Sequence, residues 1–254
     1  MSEDHKHRAR IFLHRGNLLE ARKAWEAAVA DDRLCDDKRE LSNSLGNLGN
    51  TCALMQDLEQ AERCYREVLD LQRTEPDRHA IAHTLVNLGN LHIGADRPAK
   101  ARPYFLEALD ILRELRDERA LGILYHNMAM QEARDGQWEE AVTTFTRALD
   151  SHRIVGNEEG LAVTYSHMGK GFLEHDDLMS AERCLNNASE HFIKLGHETA
   201  EAAVLRLLAS LYERRADDLS ARRCLERVVQ IDQRYHLPEA PADRARLARL
   251  NGSS

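Results

Sequence analysis

The sequence predicts an all-α solenoid: six helical hairpins in series, followed by a short C-terminal capping helix. The first observation behind this is a forty-residue period, carried by Ala21, Ala61, Ala101, Ala141, Ala181 and Ala221. A period of this length signals a repeat architecture and outranks local readings of the chain. The second is a pair of columns in the same register. Ala9, Gly49, Gly89, Ala129, Gly169 and Ala209 are small, whereas Trp25, Tyr65, Phe105, Phe145, Leu185 and Leu225 are large. Small residues at two fixed points of a hairpin let its two backbones approach, and the large column fills the space beside that contact. The third is apolar spacing. Leu41, Leu45, Leu48 and Cys52 fall at i, i+4, i+7 and i+11, one face of a helix.

The residues that carry the period also carry a resemblance. Leu48-Gly49-Asn50, then Asp57 to Ala61, then Tyr65 and Val68, recurs as Leu88-Gly89-Asn90, Ala101, Phe105 and Ala108. This pattern resembles the tetratricopeptide repeat. Its forty-residue length and Asn-Leu-Gly-Asn run resemble the longer-repeat branch of Leu-Gly-Asn adaptors and kinesin light chains. The resemblance implies a right-handed superhelix whose first helices line a concave groove. Arg8 and Asp218 depart from the pattern, which makes the first and last units look like caps.

The units are expected at about 1–36, 37–76, 77–116, 117–156, 157–196 and 197–236, forming one solenoid in which each unit contacts its neighbours. The first helix is expected over 3–15, with Ser2 as its N-cap and Glu3 and Asp4 at the positive end of its dipole. Gly16-Asn17 makes the turn, and 18–34 forms the second helix. Asp57, Asp96 and Asp177 are placed to cap second helices, and Gly156 and Gly196 to end helices. Pro98 suits a first turn. Pro103 lies inside a helix, removes a donor there and is expected to bend it. Residues 237–250 are expected to form the cap, with a helix over 244–250, and 251–254 a disordered tail.

Composition narrows the function classes. Thirty-five basic and 43 acidic residues leave a net charge of −8, a poor match for sequence-independent nucleic-acid binding. No apolar run approaches the roughly 20 residues of a membrane span. The start of the chain shows no signal peptide, and the five cysteines have no Cys-x-x-Cys spacing; both point to reduced thiols and a cytoplasmic setting. No nucleophile–base or paired-carboxylate set stands out, so an enzyme is not expected, nor a cofactor. His79 and His83 share a helix face but lack a third metal ligand in sequence.

The candidate site is a polar stripe on the first helices. Asn43, Asn47 and Asn50 recur as His83, Asn87 and Asn90, and Asn127 continues the series. An asparagine amide offers a donor and an acceptor, which matches the unpaired backbone of an extended peptide. The alternative is that these amides bond neighbouring helices. No acid stands between Leu41 and Gln56 or between His79 and Ala95, and Lys6, Arg10, Arg134 and Lys170 are candidate cations flanking the amides. Arg206 and Arg214 are further candidates, and Glu132 and Glu174 could neutralise Arg134 and Lys170. The pattern also resembles the carboxylate clamp of chaperone-binding tetratricopeptide proteins, but only Lys6 and Asn47 agree, so a clamp is not expected. The reading is an interaction scaffold or adaptor that holds an extended, acid-bearing protein segment. Self-association and peptide-sensing regulation stand as alternatives.

Overall fold

The structure, a computed structural model, describes residues 2–35, 37–74 and 77–252. Among the described residues there are thirteen helices and no strand. They are α1 (Ser2–His14), α2 (Leu18–Leu34), α3 (Lys38–Leu54), α4 (Leu58–Thr74), α5 (Arg78–Gly94), α6 (Pro98–Leu115) and α7 (Glu118–Arg134). The chain continues with α8 (Trp138–Ile154), α9 (Glu158–Glu174), α10 (Leu178–Leu195), α11 (Glu198–Arg214), α12 (Asp218–Tyr235) and α13 (Ala240–Gly252). This is the all-α repeat solenoid that the forty-residue period predicts. The contacts divide it into two compact units, residues 1–120 and residues 121–254.

In the first unit α1 packs on α2, α3 on α4 and α5 on α6, with α2 and α4 each also meeting the helix that follows. In the second, α9 packs on α10, α11 on α12, and α13 on α12. Ala129 of α7 shares a core with Trp138, Ala141 and Phe145 of α8. The alanine column is fully buried in all six repeats. The small column acts differently from expectation. A Cβ on Gly89 would overlap the Phe105 ring, and one on Gly49 would lie 2.8 Å from Tyr65 Cε1. These glycines admit the large column of the partner helix, rather than facing its alanines.

Turn chemistry repeats as strictly as packing. Gly16, Gln56, Asp96, Gly136, Asp176 and Ala216 occupy one repeat position, and all have φ between 55° and 76°. The left-handed conformation is set by the hairpin, and only two of the six positions carry the residue that favours it. Asn17, Asp57, Asp177 and Asp217 then accept backbone N–H bonds from the first turns of their helices. Asp96 was expected among the caps. It is the left-handed turn residue instead, and Arg97 precedes α6 without a side-chain cap.

Other expectations shift at the ends. Ser2 lies inside α1 and donates its hydroxyl to Asp32 Oδ1 at 2.5 Å. The terminal helix α13 starts at Ala240, four residues before the expected 244, and takes in Asn251 and Gly252; residues 253–254 lie outside the described residues. Pro103 sits in the second turn of α6, where only one backbone donor is lost, and the helix continues unbroken to Leu115.

Two stability outcomes follow. Gly89→Leu should destabilise by about 1–3 kcal/mol, the usual cost of overpacking, read as a lower melting temperature. Ala216→Gly should raise stability by about 1 kcal/mol, since an L-residue in the left-handed region costs roughly 1–2 kcal/mol. No change on Ala216→Gly would mean that the turn carries no strain.

Candidate functional site

The amide stripe lies on α3 and α5, and the structure gives each amide a separate fate. Asn43 is exposed and donates to Glu40 Oε1 at 3.4 Å. Asn47 donates to the Asn43 carbonyl of its own helix at 2.8 Å. Asn50 accepts the Tyr65 hydroxyl at 2.6 Å, which ties α3 to α4. His83 is exposed, and Asn87 is half-buried with no side-chain hydrogen bond among the described residues. Asn87 and Asn90 line a cleft of about 230 Å³ with Gln56, Leu58, Tyr65 and Gly94. The structure thus brings Asn87, Asn90 and the Asn50–Tyr65 pair into one part of the first unit. Asn43 and Asn47 do not line that cleft. Asn127 lies in the second unit and has a partner of its own.

The candidate cations divide sharply. Arg10 and Arg134 are exposed, with no ion pair among the described residues. Lys170 faces Glu174 at 3.7 Å, so the neutralising carboxylate foreseen for it is present. Lys6 is a correction. It is 4% exposed and sits among Glu40 at 2.5 Å, Asp32 at 3.3 Å and Glu3 at 3.4 Å, so it offers no charge to a groove. Arg206 is likewise taken, by Asp232 at 2.5 Å and Asp243 at 2.7 Å, and Arg214 donates to the Leu173 carbonyl at 2.6 Å. Sequence spacing put Lys6 and Arg206 on an inner helix face but did not show which carboxylates fold against them.

His79 and His83 gain no third ligand. His79 meets Asp117 at 3.3 Å, and among the described residues no group of three His, Cys, Asp or Glu side chains could hold a metal. The cysteines are free, and burial pushes the Cys52 and Cys184 thiols up to about 11, so they behave as small apolar fillers. No helix among the described residues is long and apolar enough to cross a membrane.

The family model for the tetratricopeptide repeat matches residues 4–74 and 40–114. Residues 4–114 thus carry tetratricopeptide repeats, and the forty-residue columns continue through the rest of the chain. BtubC from P. vanneervenii is similar in fold, at 20% identity over 86% of this chain and 92% of that one, with a TM-score of 0.77. The tetratricopeptide-containing STAND signal-transduction ATPase of Pyrococcus horikoshii matches 96% of this chain at 18% identity and a TM-score of 0.82. This chain spans only 37% of that ATPase. A Rap protein complexed with Competence and Sporulation Factor matches 98% of this chain and 74% of that one, at 13% identity and a TM-score of 0.70. No curated protein matches by sequence.

Set in tetratricopeptide register, Lys6 and Arg206 occupy one position, and their partners Asp32 and Asp232 occupy another, 26 residues later each time. The same pair of positions reads Gly46 and Gln72, Val86 and Leu112, His126 and His152, and Ser166 and Phe192 in the other repeats. The buried ion pairs sit in the first and sixth repeats. Burial alone would raise the Asp32 carboxyl, but hydrogen bonds from Ser2, Ser44 and Lys6 hold it below the usual carboxylate range. Burial also pushes Asp232 up, and Arg206 with Asp243 beside it leaves that carboxyl raised.

The fourth repeat places two imidazoles where the third holds Val86 and Leu112 and the fifth holds Ser166 and Phe192. His126 Nδ1 lies 3.0 Å from Thr164 Oγ1, and His126 and His167 have ring centroids 5.1 Å apart. His152 lies against two glycines: a Cβ on Gly122 or Gly160 would sit 2.6 Å or 2.5 Å from its Nδ1. Glycine in a helix interior costs about 1 kcal/mol relative to alanine, so seating this ring costs helix stability. Sequence reading missed this group because each histidine stands alone in its helix. The glycines at 122 and 160, where other repeats carry Ala, Ser or Glu, were the available signal.

Burial, with His167 and His152 nearby, pushes His126 down to about 4, and burial lowers His152 and His167 as well. The unfolded chain therefore binds more protons than the folded one below the ordinary histidine value of about 6.5. Stability should be complete above pH 6.5 and fall as pH drops towards 4, with His126 alone contributing on the order of 3 kcal/mol. Equilibrium unfolding between pH 7.5 and 4 checks this, and His126→Leu should flatten the curve.

Proposed function

We propose that this chain is an interaction module that holds a protein segment in extended conformation along the amide-bearing face of α3 and α5. The single observation that carries the reading is the cleft beside Tyr65, where the half-buried Asn87 amide has no partner among the described residues. An amide that lines a cleft without a partner in the protein is free to bond a ligand, and an extended backbone supplies both donor and acceptor. The acid-free stretches 41–56 and 79–95 support a segment that carries carboxylates. Exposed Arg10 is the remaining candidate cation of the first unit for it. The Rap protein of similar fold, complexed with Competence and Sporulation Factor, supports a role in holding another molecule.

The test begins with selection of peptides from a displayed random library, followed by titration of the winners. Asn87→Ala should weaken binding about tenfold, the equivalent of one net hydrogen bond of roughly 1–1.5 kcal/mol. Asn43→Ala, away from the cleft, should leave it unchanged. Equal losses for both variants, or none for either, would remove the cleft from the reading.

A further inference from the structure

The histidine group of the second unit borders a cleft of about 240 Å³ between α7, α8 and α9. Its walls include Ile123, His126, His152, Asn157 and Thr164. Asn157 fixes the chemistry of this cleft. Its Oδ1 accepts the Gly160 N–H at 2.9 Å, so its Nδ2 is the atom facing His152 Nδ1, at 3.2 Å. Nδ2 can only donate, so His152 Nδ1 is an acceptor and the ring carries its proton on Nε2. His152 is 2% exposed, and that Nε2–H has no acceptor among the described residues. The donor belongs to a residue that lines an open cleft, where a ligand atom can accept it.

The charges around the site favour a negative ligand. His126 and His152 both line the cleft, and the His167 ring stands 5.1 Å from His126. No carboxylate contributes to the titration of any of the three; His167 feels Lys170 and Arg134. On α9 Glu158 does not line the cleft and is held by His191 of α10 at 2.5 Å, with Lys194 at 4.0 Å. Only the exposed Glu159, on the rim, opposes an anion. The first turn of α9 adds the positive end of its dipole.

We propose that this cleft is a proton-coupled carboxylate site, in which an acidic side chain of a bound protein segment seats against His126 and His152. The carboxylate accepts the His152 Nε2–H, and one proton from solvent adds to His126, so that a single negative charge meets a single positive one. Inorganic phosphate is chiefly a monoanion in the acid range, so it is the competing oxyanion that the test separates. The site differs from a lysine-and-arginine clamp because its charge exists only when the ligand is present. It rests on the peptide-binding reading for its source of carboxylates, but its chemistry can be tested without a peptide.

The test uses the full chain and follows the histidine ring protons by NMR through a pH titration. The probes are propionate, which is a glutamate side chain without its backbone, and inorganic phosphate. Propionate should raise the His126 pKa by about one unit or more, and its affinity should weaken about tenfold per pH unit across pH 5–7, as one-proton linkage requires. His152→Leu should abolish both effects. Leu112 holds the same repeat position, so the variant has a precedent for folding. Glu159→Gln should tighten propionate and decides the matter if His152→Leu does not fold. Unmoved histidines, an equal shift in His152→Leu, no gain from Glu159→Gln, or a response to phosphate but not propionate would each overturn the proposal. Loss of peptide binding on Asn87→Ala tests the other reading and leaves these outcomes unaffected.

Discussion

Everything in this molecule depends on a large side chain of each second helix covering a small residue of the first. Phe105 over Gly89 and Tyr65 over Gly49 are the tightest examples. In the repeats with Ala9, Ala129 and Ala209 the same position carries a methyl group, and Trp25, Phe145 and Leu225 remain buried. Helix propensity does not require this arrangement, since glycine in a helix interior lowers it. Packing overrides propensity, and the alanine column beside the contact has no exposed surface in any repeat. With that fit satisfied six times, the faces of the first helices can vary in polarity without altering the fold.

That freedom explains what was legible in the chain. The helices and their order follow from small, apolar and turn residues that recur every forty positions, because a packing requirement repeated six times leaves a repeated trace. The site leaves no such trace. Lys6 and Arg10 look alike in sequence as basic residues of α1, yet Lys6 folds into a nest of three carboxylates while Arg10 stays exposed. The difference is made by Asp32 and Glu40, which belong to other helices. Likewise Asn47 and Asn87 are equivalent by register, but Asn47 is bonded to its own helix and Asn87 faces a cleft.

One pair of repeat positions shows how a fixed geometry can hold different chemistry. It carries Lys6 with Asp32 in the first repeat, Val86 and Leu112 in the third, His126 and His152 in the fourth, and Arg206 with Asp232 in the sixth. A buried pair of opposite charges is costly to desolvate and strongly destabilising to break. Apolar residues at the same place cost nothing of that kind. The imidazoles are intermediate: neutral and tolerated when deprotonated, unfavourable when charged without a counter-ion. Position in the repeat sets where the pair sits, and residue identity sets whether it locks, packes or titrates.

The two tryptophans give this molecule a built-in optical label for each compact unit. Trp25 is buried in the first unit, at 1% exposure, and Trp138 in the second, where its ring stacks on His175 at 4.7 Å and meets Phe172 edge-on. The chain contains no other tryptophan. Replacing either one by phenylalanine leaves a single emitter whose colour reports hydration of its own unit. The sequential or concerted loss of the two units can therefore be watched without attaching a dye.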